Sequence, residues 1–404
     1  MANVSSSNGL EKRPKLRFPG FDEPWCEVKI KDIFRVTRGS VLAADKVLLS
    51  KIDGYEYPVY SSQTKADGLL GYYNTYLYEN AITWTTDGAN AGTVHYRAGK
   101  FYCTNVCGVL LNKDGYANRC TAAILGSISK KYVSYVGNPK LMNNIMSEIP
   151  IIIPALEEQH KIDSFIAVLD KRIKAQQMMI TSLKKYKRGL SDSLFAHISQ
   201  SSGCKIVKLG DAFDLLQNNT FSREDLTSEL STVQNIHYGD VLIKYGAIVN
   251  IAEDKPPYIK PDIELKKYSS ASYLCDGDIV FADTAEDYTV GKATEIAGAN
   301  GLSVLSGLHT IPCRPLIKFQ PMYLGYYFNS SLFRTQIYPL IQGTKVSSIS
   351  KGELIKANVY VPTLEEQKKI ALLLYSMDCR ITKEERKSSD LITARKALLQ
   401  QLFI

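Results

Sequence analysis

The chain has 404 residues, more than a single hydrophobic core usually serves, so we expect at least two domains. The net charge of +8 favours a polyanionic partner, although many enzymes have a similar balance. The N-terminal residues lack the apolar core of a signal peptide, and no apolar run is long enough to span a membrane. Composition therefore argues against a secreted or membrane protein, and we expect a cytoplasmic location.

The chain contains eight scattered cysteines. None of them forms a Cys-x-x-Cys pair, and Cys103 and Cys107 have no histidine pair nearby at zinc-finger spacing. We therefore expect buried free thiols and no metal site.

The N-terminal part of the chain predicts a short tail followed by a β-rich globular region. Residues 1–20 begin with a Ser- and Lys-rich stretch, and we expect them to form a flexible segment. Residues 21–153 contain short apolar runs between Gly, Asn and Asp turns, which is typical of β-strands. One such run, 81–85, is followed by a turn-rich segment, 86–92, and by a second run at 93–97.

Residues 154–200 predict a long helix. Pro154 stands just before it, and Glu157 and Glu158 place negative charge in the first turn, where the helix dipole favours it. Apolar residues then recur at heptad spacing, which is typical of a coiled coil. The apolar seam of this helix contains Ile162, Leu169, Ile173, Leu183 and Leu190.

Residues 201–361 predict a second β-rich globular region. Its entry at 207–213 resembles residues 28–34 of the first region. The run at 278–282 is followed by a polar, turn-rich loop, as in the first region. The two regions are therefore expected to share an outline, although they do not match by identity.

Residues 362–404 predict a second long helix that repeats the first. The motif beginning at Pro154 recurs at Pro362, a shift of 208 positions, and ten of the twenty residues from 154 to 173 are identical after this shift. The match continues without a gap, which indicates two copies of one packed element, because loops drift in length. The corresponding seam contains Ile370, Met377, Ile381, Leu391 and Leu398.

Polar interruptions of the heptad seams also repeat. Gln176 corresponds to Glu384, and Lys187 corresponds to Arg395. Two helices interrupted at the same places are expected to pack on each other, and the polar residues then fix their register. We therefore predict an α+β fold with two β-rich globular regions joined by two long antiparallel coiled-coil helices in pseudo-twofold symmetry. About 40 helical residues at ~1.5 Å each would make a spacer of roughly 60 Å.

The loops of both globular regions are rich in groups that contact DNA. Asn and Gln can pair with adenine edges, and Arg and Lys with guanine edges or phosphates. The same residue types also form ordinary β-turns, so both interpretations stay open. The candidate DNA contacts are Ser61, Ser62, Gln63, Lys65, Thr85, Thr86, Asn90, His95, Arg97, Lys100, Asn218, Asn219, Arg223, Lys244, Tyr245, Asp287, Tyr288, Lys292 and Lys345.

Motifs for intrinsic catalysis are missing from the sequence. An amino-group methyltransferase needs Asn or Asp before Pro-Pro-aromatic, but here Lys255 precedes Pro-Pro-Tyr and cannot accept a hydrogen bond from the target amino group. There is no Gly-rich methyl-donor loop, no Walker phosphate loop, and no Glu-x-Lys at nuclease spacing after Asp45 and Asp53. We therefore expect no catalytic residues and no cofactor.

The two Leu-Glu-Glu-Gln motifs, each after a proline and ahead of a heptad helix, resemble the conserved helical regions of specificity (S) subunits of type I restriction–modification systems. The entry from Lys15 to Trp25 is also similar to the start of many such subunits. The likeness covers essentially the whole chain. It implies two target-recognition domains, 21–153 and 201–361, joined by two conserved spacer helices at 154–200 and 362–404.

The resemblance also implies what each part does. Each target-recognition domain reads one half of a bipartite, asymmetric sequence in double-stranded DNA, and the helix pair fixes the gap between the halves. The helices dock two methyltransferase (modification) subunits, and motor–nuclease (restriction) subunits join for cleavage. Those partners supply adenine-N6 methylation and ATP-dependent cutting, so the S subunit is not itself an enzyme. The ten seam residues named above are expected to serve in helix pairing and partner docking.

Two other classes of function remain open. The chain would also suit a coiled-coil scaffold or adaptor that binds protein partners without DNA specificity, and binding to random duplex DNA would separate the two hypotheses. An enzyme with an unrecognised site is a third hypothesis, which methyl transfer by the chain alone would reveal.

Overall fold

The computed structural model describes residues 14–62, 65–201, 203–343 and 345–403, apart from the side chain of Lys65. The chain divides into two compact units. The first unit contains Met1–Gln177 and Arg386–Ile404, and the second contains Met178–Glu385. Both long helices therefore contribute residues to both units.

The described part of the first unit is built on a six-stranded sheet with the order β2-β7-β5-β6-β3-β4 and a separate β1-β8 pair. Its strands are Cys26–Lys29 (β1), Arg35–Arg38 (β2), Tyr57–Tyr60 (β3), Leu69–Tyr73 (β4), Tyr78–Thr85 (β5), Val94–Cys103 (β6), Cys107–Leu111 (β7) and Pro150–Ile153 (β8). Its helices are Ile30–Ile33 (α1), Arg119–Ile128 (α2), Asn143–Glu148 (α3) and the long helix Leu156–Gln200 (α4), which continues into the second unit.

The described part of the second unit contains a five-stranded sheet, β10-β19-β15-β17-β13, and a four-stranded sheet, β11-β14-β12-β18, with separate β9-β21 and β16-β20 pairs. Its strands are Lys205–Lys208 (β9), Phe213–Leu215 (β10), Leu226–Thr227 (β11), Gln234–Ile236 (β12), Ile248–Asn250 (β13), Tyr258–Ile259 (β14), Ile279–Ala282 (β15), Thr284–Ala285 (β16), Ala293–Ala297 (β17), Val304–Ser306 (β18), Thr310–Pro315 (β19), Ser347–Ser348 (β20) and Asn358–Val361 (β21). Its helices are Leu209–Ala212 (α5), Tyr238–Ile243 (α6), Ile251–Asp254 (α7), Tyr323–Phe328 (α8), Ser331–Ile337 (α9), Lys351–Leu354 (α10) and the long helix Leu364–Leu402 (α11).

The two units share a framework of strand pairing. In each unit the entry strand pairs antiparallel with the strand that leads into the long helix, with Val28 opposite Ile151 in the first and Val207 opposite Val359 in the second. The central strand of each main sheet also has antiparallel neighbours on both sides: β5 between β6 and β7, and β15 between β17 and β19. The similarity between 28–34 and 207–213 therefore marks equivalent elements.

Aromatic side chains fill both cores. Trp84 is buried in the first unit and donates its indole N–H to the Leu141 carbonyl at 3.0 Å. Gly108, on the neighbouring strand, lies so close that a Cβ there would be 2.1 Å from the Trp84 ring. In the second unit Tyr323 and Tyr327 are buried on α8, and their hydroxyls donate to the carbonyls of Tyr360 and Asn358.

Within each unit the long-helix segments run antiparallel. In the first unit Asp170 pairs with Arg395, while Ile162, nearer the start of α4, shares an apolar cluster with Phe403 at the end of α11. In the second unit Lys184 pairs with Glu385 and Lys187 pairs with Asp378. Residue numbers therefore increase along one helix where they decrease along the other. The predicted seam residues of both helices are buried or half-buried, as the heptad spacing leads one to expect.

The repeated Leu-Glu-Glu-Gln motif has a structural explanation. The glutamine of each copy is fully buried and donates Nε2 to the carbonyl of the proline five residues earlier, at 2.9 Å in both copies. Its Oε1 accepts from the globular part of its own unit. Gln159 accepts from Asn118 at 2.8 Å and from Thr121 at 3.0 Å, and Gln367 accepts from the Gln320 backbone N–H at 2.9 Å. The motif therefore joins each helix start to its unit.

The glutamate before this glutamine differs between the copies. Glu366 accepts from the backbone N–H and hydroxyl of Thr363, which closes the helix start as a capping box. Ala155 stands at the corresponding place in the first copy and has no hydroxyl. There Glu158 is buried and accepts two 2.8 Å hydrogen bonds from Arg17.

Part of the segment expected to be flexible makes defined contacts. Besides the ion pair of Arg17, the Leu16 backbone N–H donates to the Gln401 carbonyl at 2.9 Å, and Phe18 packs edge-on against Phe165. Residues 1–13 lie outside the described residues. The described end of this segment is thus attached to both long helices of its unit.

Candidate nucleic-acid interface

Six of the predicted DNA-contacting residues line one cavity of about 130 Å³ on the first unit's sheet, which we call the polar recess. The recess is lined by Ser61, Ser62, Asp67, Gly68, Thr83, Trp84, Thr85, Asn90, Thr93, His95, Arg97 and Cys107. Gln63 lies outside the described residues, as does the side chain of Lys65.

Strand pairing brings the recess residues together. Thr83 lies opposite His95, and Ala81 lies opposite Arg97, in the antiparallel ladder of β5 and β6. Side chains of alternate strand residues share one face of a sheet, so Thr83, Thr85, His95 and Arg97 point to the same side. The ladder therefore places a cation, an imidazole and two hydroxyls on one surface.

Arg97 is a buried cation at the recess. Its side chain is only 7% exposed, and it donates to the Thr83 hydroxyl at 3.1 Å and to the Asp67 carbonyl at 2.7 Å. Its guanidinium also lies 3.7 Å from the centre of the Tyr60 ring, which is a cation–π contact. Burial lowers the pKa of Arg97 from its usual value, because the charged form loses hydration.

His95 beside it is a neutral imidazole at physiological pH. Burial, and secondly the charge of Arg97, lower the pKa of His95 to about 4. A neutral imidazole can donate one hydrogen bond and accept another. His95 is therefore suited to polar contact with a ligand rather than to charge pairing.

Two further predicted residues of the first unit, Thr86 and Lys100, lie outside the polar recess. Thr86 is buried, and its hydroxyl has two hydrogen-bond acceptors within reach, the Asp87 carboxylate and the Val106 carbonyl. We therefore assign it an internal role. Lys100 is exposed, with its ammonium 4.6 Å from the centre of the Tyr76 ring, and remains available to solvent and ligand.

In the second unit Arg223 and Lys244 line a cleft of about 610 Å³, together with Lys255 and the Pro-Pro-Tyr stretch. Arg223 donates to both carboxylate oxygens of Asp240, at 2.9 and 3.0 Å, and this hydrogen bonding raises the pKa of Arg223. The cleft therefore presents one paired cation and two exposed lysines.

Three predicted residues of the second unit have internal roles. Asn219 is fully buried and donates to Asn235 at 2.6 Å, while its carbonyl oxygen accepts from the Phe221 N–H. Tyr245 is buried in an apolar cluster. Lys292 donates to the carbonyls of Leu242 and Tyr245 at 2.9 and 3.1 Å. Residue type alone pointed to DNA contact, but it carries no information on burial. These three side chains are engaged within the protein and are not available to DNA.

The remaining predicted residues of the second unit are accessible. Tyr288 is 78% exposed, and Asp287 and Lys345 are also exposed. Hydrogen bonds from Thr289 lower the pKa of Asp287, so this carboxylate is held as an anion that closes its own turn. Asn218 is half-buried and accepts from Lys351 at 3.3 Å.

The second unit also contains a basic cleft of about 630 Å³ that was not predicted from the sequence. Only two of its residues, Tyr288 and Lys292, were among the predicted DNA contacts. Its lining includes Lys184, Lys187 and Arg188 of α4 and Arg334 of α9. The run Lys184–Arg188 was the available signal, but a charged helix face is usually only a solvated one.

Apolar side chains on the outer faces of the long helices were also missed. Leu372, Leu373 and Tyr375 on α11 are 49%, 42% and 44% exposed, and Val168 and Tyr186 on α4 are 66% and 62% exposed. The predicted seam residues face inward instead; Ile162 and Ile370 belong to the apolar clusters of their own units. The paired face and the exposed apolar side chains thus lie on different faces of these helices.

The described residues show no group of three or more His, Cys, Asp or Glu side chains placed to hold a metal ion. All eight cysteines are free thiols, but only four of them, Cys103, Cys107, Cys120 and Cys313, are buried as expected. Cys26, Cys275 and Cys379 are exposed, and Cys204 is half-buried. No described helix has the length and apolar character that crossing a membrane requires.

Comparison with known proteins identifies the family. The model of the type I restriction modification DNA specificity domain matches residues 22–185 and 201–391. The chain therefore belongs to this family of type I specificity subunits, whose role is DNA sequence recognition and which are the non-catalytic subunits of their systems.

Individual relatives agree with this assignment. A Mycoplasma pneumoniae protein named as a candidate type I specificity subunit, S.MpnORF507P, is 27% identical over 358 residues, which cover 86% of this chain and 87% of that protein. The specificity subunit of the type I restriction enzyme MjaVIII, from Methanocaldococcus jannaschii, is 24% identical over 416 residues, which cover 96% and 93%. The crystal structure of the S subunit of a type I restriction–modification system from M. genitalium has a TM-score of 0.59 at 16% identity, covers 97% of this chain and 99% of that one, and shows the same fold.

Proposed function

We propose that this chain reads a bipartite, asymmetric sequence in double-stranded DNA. One half would be read by the target-recognition domain at 21–153 and the other by the domain at 201–361. The observation that carries the proposal is the contrast between the two units. Their strand pairing and helix motifs match, while the side chains on their accessible surfaces differ. Two different surfaces on one repeated framework suit two different half-sequences.

The DNA-contact residues in this proposal either line the polar recess or are at least partly exposed. In the first unit they are the residues of the polar recess and Lys100, and in the second unit they are Asn218, Arg223, Lys244, Asp287, Tyr288 and Lys345. Arginine and lysine side chains would contact guanine edges or phosphates, and serine, threonine and asparagine side chains can donate to phosphates as well as contact base edges.

The helices at 154–200 and 362–404 would set the gap between the half-sequences and dock other subunits. We propose two methyltransferase (modification) subunits and motor–nuclease (restriction) subunits as partners, which would supply adenine-N6 methylation and ATP-dependent cleavage. Leu372, Leu373 and Tyr375 support docking, because exposed apolar side chains on a helix are typical of a protein interface. The DNA chemistry would then belong entirely to the partners.

The test is sequence selection by the full-length chain from a random duplex library. We expect enrichment of two different short blocks of sequence, separated by a gap of constant length and variable composition. Enrichment of a single contiguous block would contradict the bipartite reading. Equal binding of all duplexes would instead favour the scaffold hypothesis.

A further inference from the structure

The sheet face that carries the polar recess in the first unit has an equivalent face in the second unit, where the side chains differ. In the first unit Val36, Leu110, Ile82 and Tyr96 form one row across four paired strands. The matching row of the second unit consists of Leu215, Cys313, Ile279 and Glu295. Ile82 thus corresponds to Ile279, and Tyr96 corresponds to Glu295. The neighbouring positions on the same strands then match the recess residues Thr83, Thr85, His95 and Arg97 with Val280, Ala282, Thr294 and Ile296, in that order.

The second unit covers this surface with an apolar layer. Val280, Ala282 and Ile296 belong to a buried cluster that includes Val241 of α6 and Ile251 of α7. The same sheet positions in the first unit carry two threonines and an arginine around an open cavity. Thr294 is the one polar residue among these four positions of the second unit. The framework therefore folds with a mostly apolar face here, and the four polar residues of the first unit call for another reason.

Arg97 provides the strongest indication of a ligand. Within the described part of the chain, no carboxylate oxygen accepts a hydrogen bond from its buried guanidinium, whose neighbours are the Thr83 hydroxyl, the Asp67 carbonyl and the Tyr60 side chain. Asp67 lines the recess, but its exposed carboxylate raises the pKa of Arg97 less than burial lowers it. A buried charge without a paired opposite charge is costly, and an anionic ligand would compensate it.

Other donors around the cavity are also free. Among the described residues, the hydroxyls of Ser62, Thr85 and Thr93 and the amide of Asn90 have no side-chain hydrogen-bond partner. Hydroxyls and an amide can each donate to an oxyanion. The cavity volume of about 130 Å³ exceeds what one water molecule needs.

We propose that the polar recess of the first unit binds one phosphate group of the DNA backbone, with Arg97 beneath it and Ser62, Thr85 and Asn90 as donors around it. This assignment rests on the proposed DNA-reading function and adds the chemical group that the site holds. A phosphate projects from the duplex surface and offers acceptors only, which suits a recess of donors around a cation. A base-pair edge lies within a groove of the duplex and presents donors as well as acceptors, so it suits this recess less well.

The test uses the full-length chain and a random-sequence duplex, because a phosphate contact is independent of sequence. Asn90→Asp puts a negative charge into the recess, and Thr85→Val removes one donor at nearly constant shape. Asn74→Asp is the matched control, since it makes the same change at an exposed position of the same unit outside the recess. Circular dichroism and thermal melting establish that each variant folds as the wild type does.

Affinity is measured against salt concentration. Each neutralised phosphate contributes about −0.9 to the slope of log K against log salt. We expect the slope of Asn90→Asp to be shallower than that of the wild type by about 1, with weaker binding by Thr85→Val and no change in Asn74→Asp. Equal slopes for Asn90→Asp and Asn74→Asp, as a recess holding only water would give, would overturn the assignment.

A second arm separates the two sources of phosphate. Calorimetric titration with inorganic phosphate should show binding to the wild type and Asn74→Asp and none to Asn90→Asp. If inorganic phosphate behaves in this way while the DNA slopes do not differ, the recess binds free phosphate and the DNA assignment is wrong. If the wild type fails to bind duplex DNA at all, the proposed function itself fails, which is a different result from equal slopes.

Discussion

Arg395 donates a hydrogen bond from Nε to the carboxylate of Asp170 at 2.6 Å, and this ion pair joins the two long helices within the first unit. The 208-residue shift carries these positions onto Lys187 and Asp378, which form the equivalent ion pair in the second unit at 2.5 Å. The cation that interrupts each heptad seam is therefore paired with an aspartate of the other helix. Register is specified in the same way in both units.

The first prediction concerns this ion pair. A double-mutant cycle with Asp170→Asn and Arg395→Gln should give a coupling energy on the order of 0.5 kcal/mol, because both side chains are partly exposed and solvent screens them. The measurement is chemical denaturation of the four proteins at low and high salt, and we expect the coupling to decrease as salt rises. A coupling of several kcal/mol that salt does not change would show that the pair is not screened as its exposure implies.

The second prediction concerns the motif glutamines. Gln159→Ala removes the partner of the Pro154 carbonyl and of the Thr121 hydroxyl, and one of the two acceptors of the Asn118 amide. Gln367→Ala removes the partner of only the Pro362 carbonyl and one backbone N–H. Each buried polar group that loses its partner costs about 1–3 kcal/mol. Hydrogen exchange of the two variants should therefore show a larger loss of protection around Gln159 than around Gln367.

A comparison of the two losses tests the explanation directly. If Gln367→Ala destabilised its unit as much as or more than Gln159→Ala, the hydrogen-bond count would not account for the motif.

The repeated helices could be predicted from the sequence because their signal is periodic and local. Heptad spacing, helix-start residues and a gapless repeat each depend on neighbouring positions, and all indicated the same pair of helices. The equivalence of the two sheets had a weaker signal, the echo between residues 28–34 and 207–213. The different covering of those sheets could not be predicted, because it depends on elements such as α6 and α7 that pack from distant parts of the chain.

Site residues were predicted less well, for a physical reason. Composition identified Arg97 and Asn219 equally, since both carry groups that pair with bases. Only tertiary packing decides that Asn219 bonds within the core while Arg97 borders an open recess. Ser61 and Arg97 are 36 positions apart and line the same recess because β3 and β6 are neighbours in the sheet.

The third prediction concerns pH. The pKa of His95 falls from 6.5 to about 4 on folding, so the unfolded chain binds more protons between these values. The free energy of unfolding of the first unit should therefore decrease as pH falls from 6.5 toward 4, by on the order of 2–3 kcal/mol from this residue. Hydrogen exchange of β5 and β6 measures the change.

His95→Gln is the control for this effect, because glutamine keeps polar groups but does not titrate. The variant should lose this part of the pH dependence. An identical slope in wild type and variant would assign the acid sensitivity to other groups.

The fourth prediction compares two glycines. Gly108→Ala should strongly destabilise the first unit, because the new Cβ would lie 2.1 Å from the buried Trp84 ring. Gly189→Ala lies on α4, where a Cβ meets no atom within 4 Å, so it should stabilise the chain by about 0.5–1 kcal/mol through helix propensity. Thermal unfolding of both variants should thus shift in opposite directions, and destabilisation by Gly189→Ala would contradict the helix assignment.

The last prediction tests the proposed spacer role of the helices. One heptad inserted after Gln177 and one after Glu385, where both helices pass from one unit to the other, keeps the seam spacing on each side. Seven residues add about 10 Å of helix, which corresponds to roughly three base pairs. Selection from a random duplex library with this variant should enrich the same two half-sequences as the wild type, separated by about three more base pairs. An insertion of four residues at the same places, about one helical turn and about 6 Å in each helix, should widen the gap by a smaller step of roughly two base pairs and leave both half-sequences unchanged. Unchanged spacing in a folded seven-residue variant would show that the gap is set by something other than the length of these helices.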